Sequence, residues 1–382
     1  MISRVLIAGG TGRLGTLVVN GLAARGVDVR VMTRDPKRAA HLAGERIEVV
    51  PGDVRDPIST MTAAVGVDAV VSAVHGFAGP GGVSPATVDR DGNTHLINAA
   101  HAAGAELVLM STVGAAPDSS FELFRMKYAA EAILAASTVP ATVVRSTAFL
   151  ELWIDLLGST AGRSNRPLVF GRGQNPINFV SVRDVAALVE RVTLDQATRG
   201  QTIEIGGPEN LTFDELARMV VALRGGSDGP RHIPRAALQA MVATVGRLRP
   251  ALGRQARAAL VMDQSDMTFS AGVNGIRARF PELPCTSPAE ALSNFHATQA
   301  PTVPTMCHRG TSCGRCWLSK QRSGEATIEV DGNIVAVGLA DSLADCGGDR
   351  ELVGPVAESH ERSSEWAAVD GSLDLYDPPG IE

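Results

Sequence analysis

Val5-Leu6-Ile7-Ala8-Gly9-Gly10-Thr11-Gly12-Arg13-Leu14-Gly15 is the stretch that decides the fold. A short apolar run passes into a glycine-rich turn. A helical pattern follows at once, with an apolar stripe at Leu14, Leu17, Val18 and Leu22 that Gly26 ends. Gly9, Gly12 and Gly15 stand three apart, GxxGxxG rather than the GxGxxG of the simplest dinucleotide fingerprint. The physics is shared: a residue without Cβ lets the backbone turn tightly and approach a pyrophosphate. Free amides at the first turn of the next helix, with the positive end of its dipole, then hold the anion. The last glycine lets helix and strand pack closely. A tight strand-to-helix turn without a ligand uses the same residues. The phosphate reading is favoured because a strand precedes the glycines and a helix follows them, the context the motif demands.

Outward from the turn, Val27 to Met32 reads as the second strand. An NAD-selective site usually ends this strand with an acidic side chain for the ribose 2′-hydroxyl. Here the run is Thr33-Arg34-Asp35-Pro36-Lys37-Arg38. A guanidinium suits a 2′-phosphate by charge and bidentate hydrogen bonding, so Arg34 and Lys37 point to NADP over NAD. Asp35 either reaches a ribose or N-caps a helix beginning at Pro36. Ile47 to Val50 is the third strand. Asp53 behind it can accept from an adenine amino group and can cap the helix starting near Pro57, two compatible roles. Asp68 to Val74 is a fourth, β-branched strand fit for a sheet buried on both faces. The loop His75-Gly76-Phe77-Ala78-Gly79-Pro80-Gly81-Gly82 follows, in which His75 either lines a site or is an ordinary loop residue. Thr87 to Ala103 is a long helix and Glu106 to Met110 the fifth strand. Repeated β-α units with short connections predict an α/β, doubly wound parallel sheet, with ligands beyond the carboxyl ends of its strands.

Ser111-Thr112 follows strand five, and Phe124-Arg125-Met126-Lys127-Tyr128-Ala129-Ala130-Glu131 lies on the next helix. Ala141-Thr142-Val143-Val144-Arg145 forms a sixth strand. With the glycine turn, these residues resemble the short-chain dehydrogenase/reductase superfamily, and more narrowly its atypical NmrA-like branch. Val180-Ser181-Val182-Arg183-Asp184-Val185-Ala186 and Ile205-Gly206-Gly207-Pro208-Glu209 extend the match, which covers roughly residues 1 to 296. The resemblance implies a Rossmann-type NAD(P)-binding domain. It implies cofactor contacts at Gly9, Thr11, Gly12, Arg13, Leu14, Gly15, Arg34, Lys37, Asp53, Val54 and Ala73. It also implies that Lys127 holds the nicotinamide ribose and that Ser111 or Thr112 touches substrate or ribose, making Lys127 and Ser111 the candidate catalytic residues. The superfamily's Tyr-x-x-x-Lys places both groups on one helix face, the lysine lowering the tyrosine pKa for proton donation. Here Leu123 holds the tyrosine position, and Tyr128, about 100° around the helix, is no substitute. Lys127 is otherwise a solvated helix residue paired with Glu131 at i+4.

Residues 1–150 are expected to form the NAD(P)-binding domain and 151–296 a smaller α-rich substrate region interleaved with the sheet. Phe149 to Ile154 opens a helix that could wall a pocket, Asn178 to Val182 is a strand, and Asp184 to Val192 a helix. Thr212 with Glu215 is a capping box. Arg231 to Arg257 reads as an arginine-rich helix. Its arginines are scattered among alanines and leucines without aromatic interleaving, so a solvated face is expected rather than nucleic-acid binding. Pro281 to Phe295 reads as a closing helix, and 297–305 as a linker.

From Ser323 to Glu382 there are 14 acidic and 2 basic residues, net −12, against 27 acidic and 33 basic before it, net +6. The tail, 306–382, thus reads as a separate, irregular acidic unit, with one hairpin around Asp331-Gly332-Asn333 and the rest disordered. Cys285, Cys307, Cys313, Cys316 and Cys346 are odd in number, which argues against a secreted disulfide framework. One CxxC near Cys307-His308 lacks a second ligand pair of trusted spacing, and no metal is expected. No run reaches the roughly 18 apolar residues of a membrane span. The first strand starts almost at once, so no signal peptide is expected. The expectation is a cytoplasmic monomer or homodimer acting on a small molecule, without nucleic-acid or membrane partners. The resemblance implies an NADP(H)-dependent oxidoreductase for a carbonyl or quinone-like substrate, or a non-catalytic NADP(H) sensor; an epimerase needs the missing tyrosine more.

Overall fold

Strand β1 (Arg4–Ala8) lies beside β2 (Asp28–Thr33) on one side and β4 (Ala69–Ser72) on the other, and this divergence organises the chain. A computed structural model describes residues 2–294, apart from 78, 80, 163, 164, 245, 247–249 and 271–274. It adds the backbone of 295–299, 325–330 and 333–339. With β3 (Ile47–Pro51), β5 (Glu106–Thr112), β6 (Ala141–Ser146) and β10 (Gln201–Ile205), the sheet runs β10-β6-β5-β4-β1-β2-β3. All its pairings are parallel.

Parallel strands need crossovers, and the crossovers cover both faces. On one face Val5, Ile7, Val29, Val31 and Val71 pack against Leu14, Val18 and Leu22 of α1 (Arg13–Ala24) and Val185 and Val189 of α6 (Val182–Leu194). On the other, Leu6, Val70, Leu107 and Leu109 meet Leu96, Ile97 and Ala100 of α3 (Asp91–Ala103) and Ala130 and Leu134 of α4 (Glu122–Ala135). The short α2 (Pro57–Ala63) adds Ala63 to this layer. The chain passes outward from β1 to β3, then returns beside β1 as β4. The loops after β1 and β4 therefore part at the carboxyl edge, where such sheets open a ligand crevice.

A smaller lobe is interleaved with the sheet. It holds β7 (Ala148–Phe149), α5 (Leu150–Ala161), β8 (Leu168–Phe170), β9 (Pro176–Val180), β11 (Asn210–Thr212), α7 (Phe213–Leu223) and β12 (Arg231–Ile233). Its core joins Leu150, Ile154, Phe179, Phe213, Leu216 and Leu292. Both arms of the capping box that starts α7 form: Glu215 N–H donates to Thr212 Oγ1 (3.1 Å) and Thr212 N–H to Glu215 Oε2 (2.8 Å).

Several local expectations change. No α-helix begins at Pro36; the segment makes turns and one 3-10 turn, Ala40–Leu42. The helix expected at Thr87 starts as a wide π-helical turn, Pro85–Arg90, and continues as α3. Arg231–Ile233 is not helical but pairs with β8, and helices Arg235–Ala243 and Pro250–Met262 follow. The closing helix begins at Pro288 and runs to Gln299, so 297–299, read as linker, are helical. Glu325–Val330 and Asn333–Leu339 pair antiparallel, as the hairpin reading has it. The other expectations for the tail, its late cysteines included, lie outside the described residues.

Candidate cofactor and substrate cleft

Gly9 takes φ +85°, which disfavours any side chain, and an added Cβ would stand 2.6 Å from Ala73 O. At Gly15 a Cβ would stand 2.1 Å from Gly9 O. Both glycines are therefore demanded by the protein itself. Gly12 differs. Its φ of −80° suits any residue, and a Cβ would meet only Gly9 O, at 3.4 Å. The fold itself leaves space at Gly12. Gly12 is also the N-cap of α1 and gives it no side-chain cap, and no acidic residue stands in the first turn. The orphan amides of an uncapped N-terminus are an anion site. Thr11 beside them is exposed, and Leu14 is buried in the core. These features fit a dinucleotide pyrophosphate. Arg13, read as a cofactor contact, forms an ion pair with Asp155 of α5 and so ties the turn to the smaller lobe.

At the end of β2, Asp35 Oδ1 accepts from the amides of Lys37 (3.1 Å) and Arg38 (3.3 Å). It caps the turn through that one oxygen. Arg34, Lys37 and Arg38 are exposed, and their side chains make no hydrogen bond or salt bridge to another described residue. Asp53 does not cap α2; Asp56 does, accepting from Ile58 N–H (3.0 Å) and Ser59 N–H (3.3 Å). Asp53 is held by Arg55, with Nη2 2.6 Å from Oδ2. That hydrogen bonding sets its carboxyl below the usual range. Val54 is half-buried, and its carbonyl accepts from His95 Nδ1 (2.8 Å).

At the opposite end of the crevice, Lys127 is only 6% exposed. It is neither solvated nor paired with Glu131, whose carboxylate binds Arg145 (2.6 Å). Lys127 Nζ donates to Val74 O (2.9 Å) and Met110 O (3.0 Å) and lies 2.9 Å from Asp89 Oδ1. The first two contacts are hydrogen bonds, whereas the third is an ion pair in which Asp89 Oδ1 accepts no hydrogen bond among the described residues. Ser111 is buried at the end of β5, and its Oγ has no hydrogen-bond partner among the described residues. Phe77 packs on Phe121 (ring centroids 5.9 Å apart) and Phe121 on Phe124 (4.9 Å). This trio and Leu123 are all half-buried, whereas His75 is exposed.

Ser111→Ala gives a test that needs no ligand structure. A buried hydroxyl without a partner costs about 1–3 kcal/mol, so its removal is expected to leave the melting temperature unchanged or higher. A fall in turnover of tenfold or more in the same variant assigns the hydroxyl to the reacting groups; unchanged turnover removes Ser111 from the site.

Sequence reasoning missed Asp89, Asn93, Arg55 and Asp155. A signal existed for two of them: Asp89 and Asn93 stand four apart, in line with Leu96 and Ile97 on the buried face, so both polar groups are forced inside.

Residues 9–195 match the family described as NAD(P)H-binding. The chain is 27% identical over 223 residues to the NAD(P)H azoreductase of Xenophilus azovorans, covering 58% of this chain and 74% of that one. It is 30% identical over 224 residues to the (4-alkanoyl-5-oxo-2,5-dihydrofuran-3-yl)methyl phosphate reductase of Streptomyces griseus, covering 58% of this chain and 74% of that one. The fold resembles the NADPH-dependent quinone oxidoreductase of Escherichia coli solved with NADPH, at a TM-score of 0.62 and 22% identity, covering 76% of this chain and 99% of that one. No helix among the described residues is long and apolar enough to cross a membrane, and they hold no cluster of metal-ligating side chains.

Proposed function

The chain belongs to the NAD(P)H-binding family, in the NmrA-like branch of oxidoreductases, and from that premise we propose that it reduces a conjugated, quinone-like acceptor with NADPH. The observation that carries this reading is what stands where a proton donor is needed. Leu123 cannot donate, and Lys127 is buried with its Nζ bonded to Val74 O and Met110 O and ion-paired with Asp89. Reduction of a simple ketone develops an alkoxide, about as basic as hydroxide. Such a step relies on a protein acid. A reduced quinone is a phenolate, whose conjugate acid titrates near ~10, so solvent can supply its proton. The half-buried Phe77, Phe121 and Phe124 offer a planar acceptor an aromatic wall.

The amides at the start of α1 hold the pyrophosphate, with Gly12 giving it close approach. Arg34, Lys37 and Arg38 take the 2′-phosphate, and Asp53 and Val54 border the adenosine. When bound, the nicotinamide supplies the hydride. Ser111 contributes the unspent hydroxyl at the reacting end. Titration with NADPH and NADH, followed by a panel of quinones and aldehydes, tests the reading. The expected result is tighter NADPH binding and a kcat/KM for quinones about 100-fold above that for aldehydes. Tight binding without turnover on any acceptor would make the protein a cofactor sensor instead.

A further inference from the structure

Three strand-end and loop groups converge beneath the cleft. The stretch Ala73-Val74-His75-Gly76 leaves β4 at the edge where ligands bind. Gly9 packs directly against Ala73 O on one side. On the other, Gly76 lies so close to the π-helical turn that an added Cβ would stand 2.3 Å from Ser84 O. Asp89, on that turn and fully buried, accepts from Gly76 N–H through Oδ2 (2.7 Å). Its Oδ1 faces Lys127 Nζ, which holds Val74 O from α4. Asn93 supports Asp89 from below: its Nδ2 donates to Asp89 O (2.7 Å), and its Oδ1 accepts from Ser72 Oγ (2.5 Å). Thus Val74 is gripped at its carbonyl and Gly76 at its amide by two oppositely charged groups that also bind each other.

We propose that Asp89 and Lys127 are positioning residues that clamp the Val74–Gly76 backbone beneath the nicotinamide end of the cleft. Lys127 acts through this backbone and through Met110 O, not by a bond to the reactants. The proposal rests on the reductase reading for its effect on rate, but the clamp itself is testable without turnover. Three observations carry it. Lys127 Nζ donates to two backbone carbonyls and lies in ion-pair contact with Asp89, all of them protein groups. Asp89 has no access to solvent or ligand. The grip falls on the segment that meets the phosphate turn through Ala73 and carries Phe77 onward to the aromatic trio. A π-helical turn, rare and often found at functional sites, supplies the aspartate.

The test uses the full chain with three changes: Asp89→Asn, Lys127→Met, and the double change Asp89→Leu with Lys127→Met. The double variant leaves no lone buried charge, and exchange of a buried pair for apolar groups is commonly tolerated, so it keeps the proposal falsifiable if a single variant fails to fold. Amide hydrogen exchange of residues 74–76 is read without ligand, alongside the NADPH dissociation constant, kcat and KM for a quinone, and the pH profile. In the double variant the Gly76 amide is expected to exchange at least tenfold faster, with NADPH affinity within threefold of the parent. Expected too are a kcat at least tenfold lower, an unchanged KM and a pH profile of unchanged shape. Asp89→Asn is expected to follow in the same direction. Parent-like exchange in the double variant overturns the clamp whether or not the parent turns over. So does a lowered melting temperature with unchanged kcat. Loss of tenfold or more in NADPH affinity, or of a limb of the pH profile, in Lys127→Met alone overturns it as well, because Lys127 then touches the reactants. If the unaltered protein binds NADPH without turnover, the reductase reading falls, and exchange at Gly76 still decides the clamp.

Discussion

Gly12→Ala is expected to weaken NADPH binding about 100-fold while moving the melting temperature by no more than about 2 °C, and Gly15→Ala to damage fold and binding together. The contrast follows from what a Cβ meets. At Gly15 it would stand 2.1 Å from Gly9 O and 2.6 Å from Gly10 Cα, both backbone atoms that cannot swing aside. Relief requires α1 to move off the turn, and overpacking of this kind costs about 1–3 kcal/mol or more. In a protein of this size each kcal/mol is about 2–4 °C, so a fall of up to roughly 12 °C is expected. At Gly12 a methyl group meets only Gly9 O at 3.4 Å, with φ already at −80°. The fold accepts it, and the methyl occupies the space through which a phosphate reaches the amides of α1. A hundredfold loss corresponds to about 2.7 kcal/mol. If Gly12→Ala binds NADPH like the parent, the glycine pattern is a tight turn and nothing more.

The same two glycines mark how far the sequence could be read. Spacing announces that Gly9, Gly12 and Gly15 matter, and flanking periodicity supplies the strand and helix. Spacing cannot separate a glycine the chain needs from one it does not, because that depends on how the turn folds back on itself, with Gly9 O and Gly10 Cα against Gly15, and on Ala73, which reaches Gly9 from beyond β4 some sixty residues later. The parallel, doubly wound sheet was legible for a related reason. Strands buried on both faces are continuously apolar, as in Val5-Leu6-Ile7 and Val70-Val71, and connections of helical period force them parallel.

What sequence could not resolve was the choice among polar partners. Asp53 and Asp56 are both plausible caps for α2, and only the path of the chain puts Asp56 over the helix and Asp53 on Arg55. Lys127 illustrates this more sharply. On a helical wheel it pairs with Glu131, but Arg145 arrives on β6 and takes the glutamate, while Asp89 arrives from the π-helical turn and takes the lysine. Each exchange is between residues remote in sequence. The short strand Arg231–Ile233 was read as helix because its three residues gain their geometry from β8, a tertiary override of local preference.

Arg34→Glu is expected to raise the NADPH dissociation constant about 100-fold and the NADH constant by less than threefold. Three cations stand exposed after β2 with no side-chain salt bridge among the described residues, and the carboxylate beside them is engaged with the amides of Lys37 and Arg38. A 2′-phosphate brought there finds charge and a planar fork of donors, whereas the one carboxylate beside them already has an oxygen engaged as a cap. Hydrogen bonds to charged groups contribute about 1.5–3 kcal/mol, which sets the expected hundredfold. Reversal is preferable to truncation, since Lys37 and Arg38 remain to bind a phosphate when Arg34 is merely shortened. The change also spares the adenine side: Asp53 owes its lowered pKa first to Arg55, with Arg34 the last of its contributors. Because the cations face solvent, salt screens them, and the preference for NADPH is expected to narrow between 50 and 500 mM salt. Equal weakening of NADPH and NADH would place Arg34 outside the 2′-phosphate site and shift selection to Lys37 and Arg38. Selective weakening of NADPH makes the end of β2 the point at which this chain chooses its cofactor.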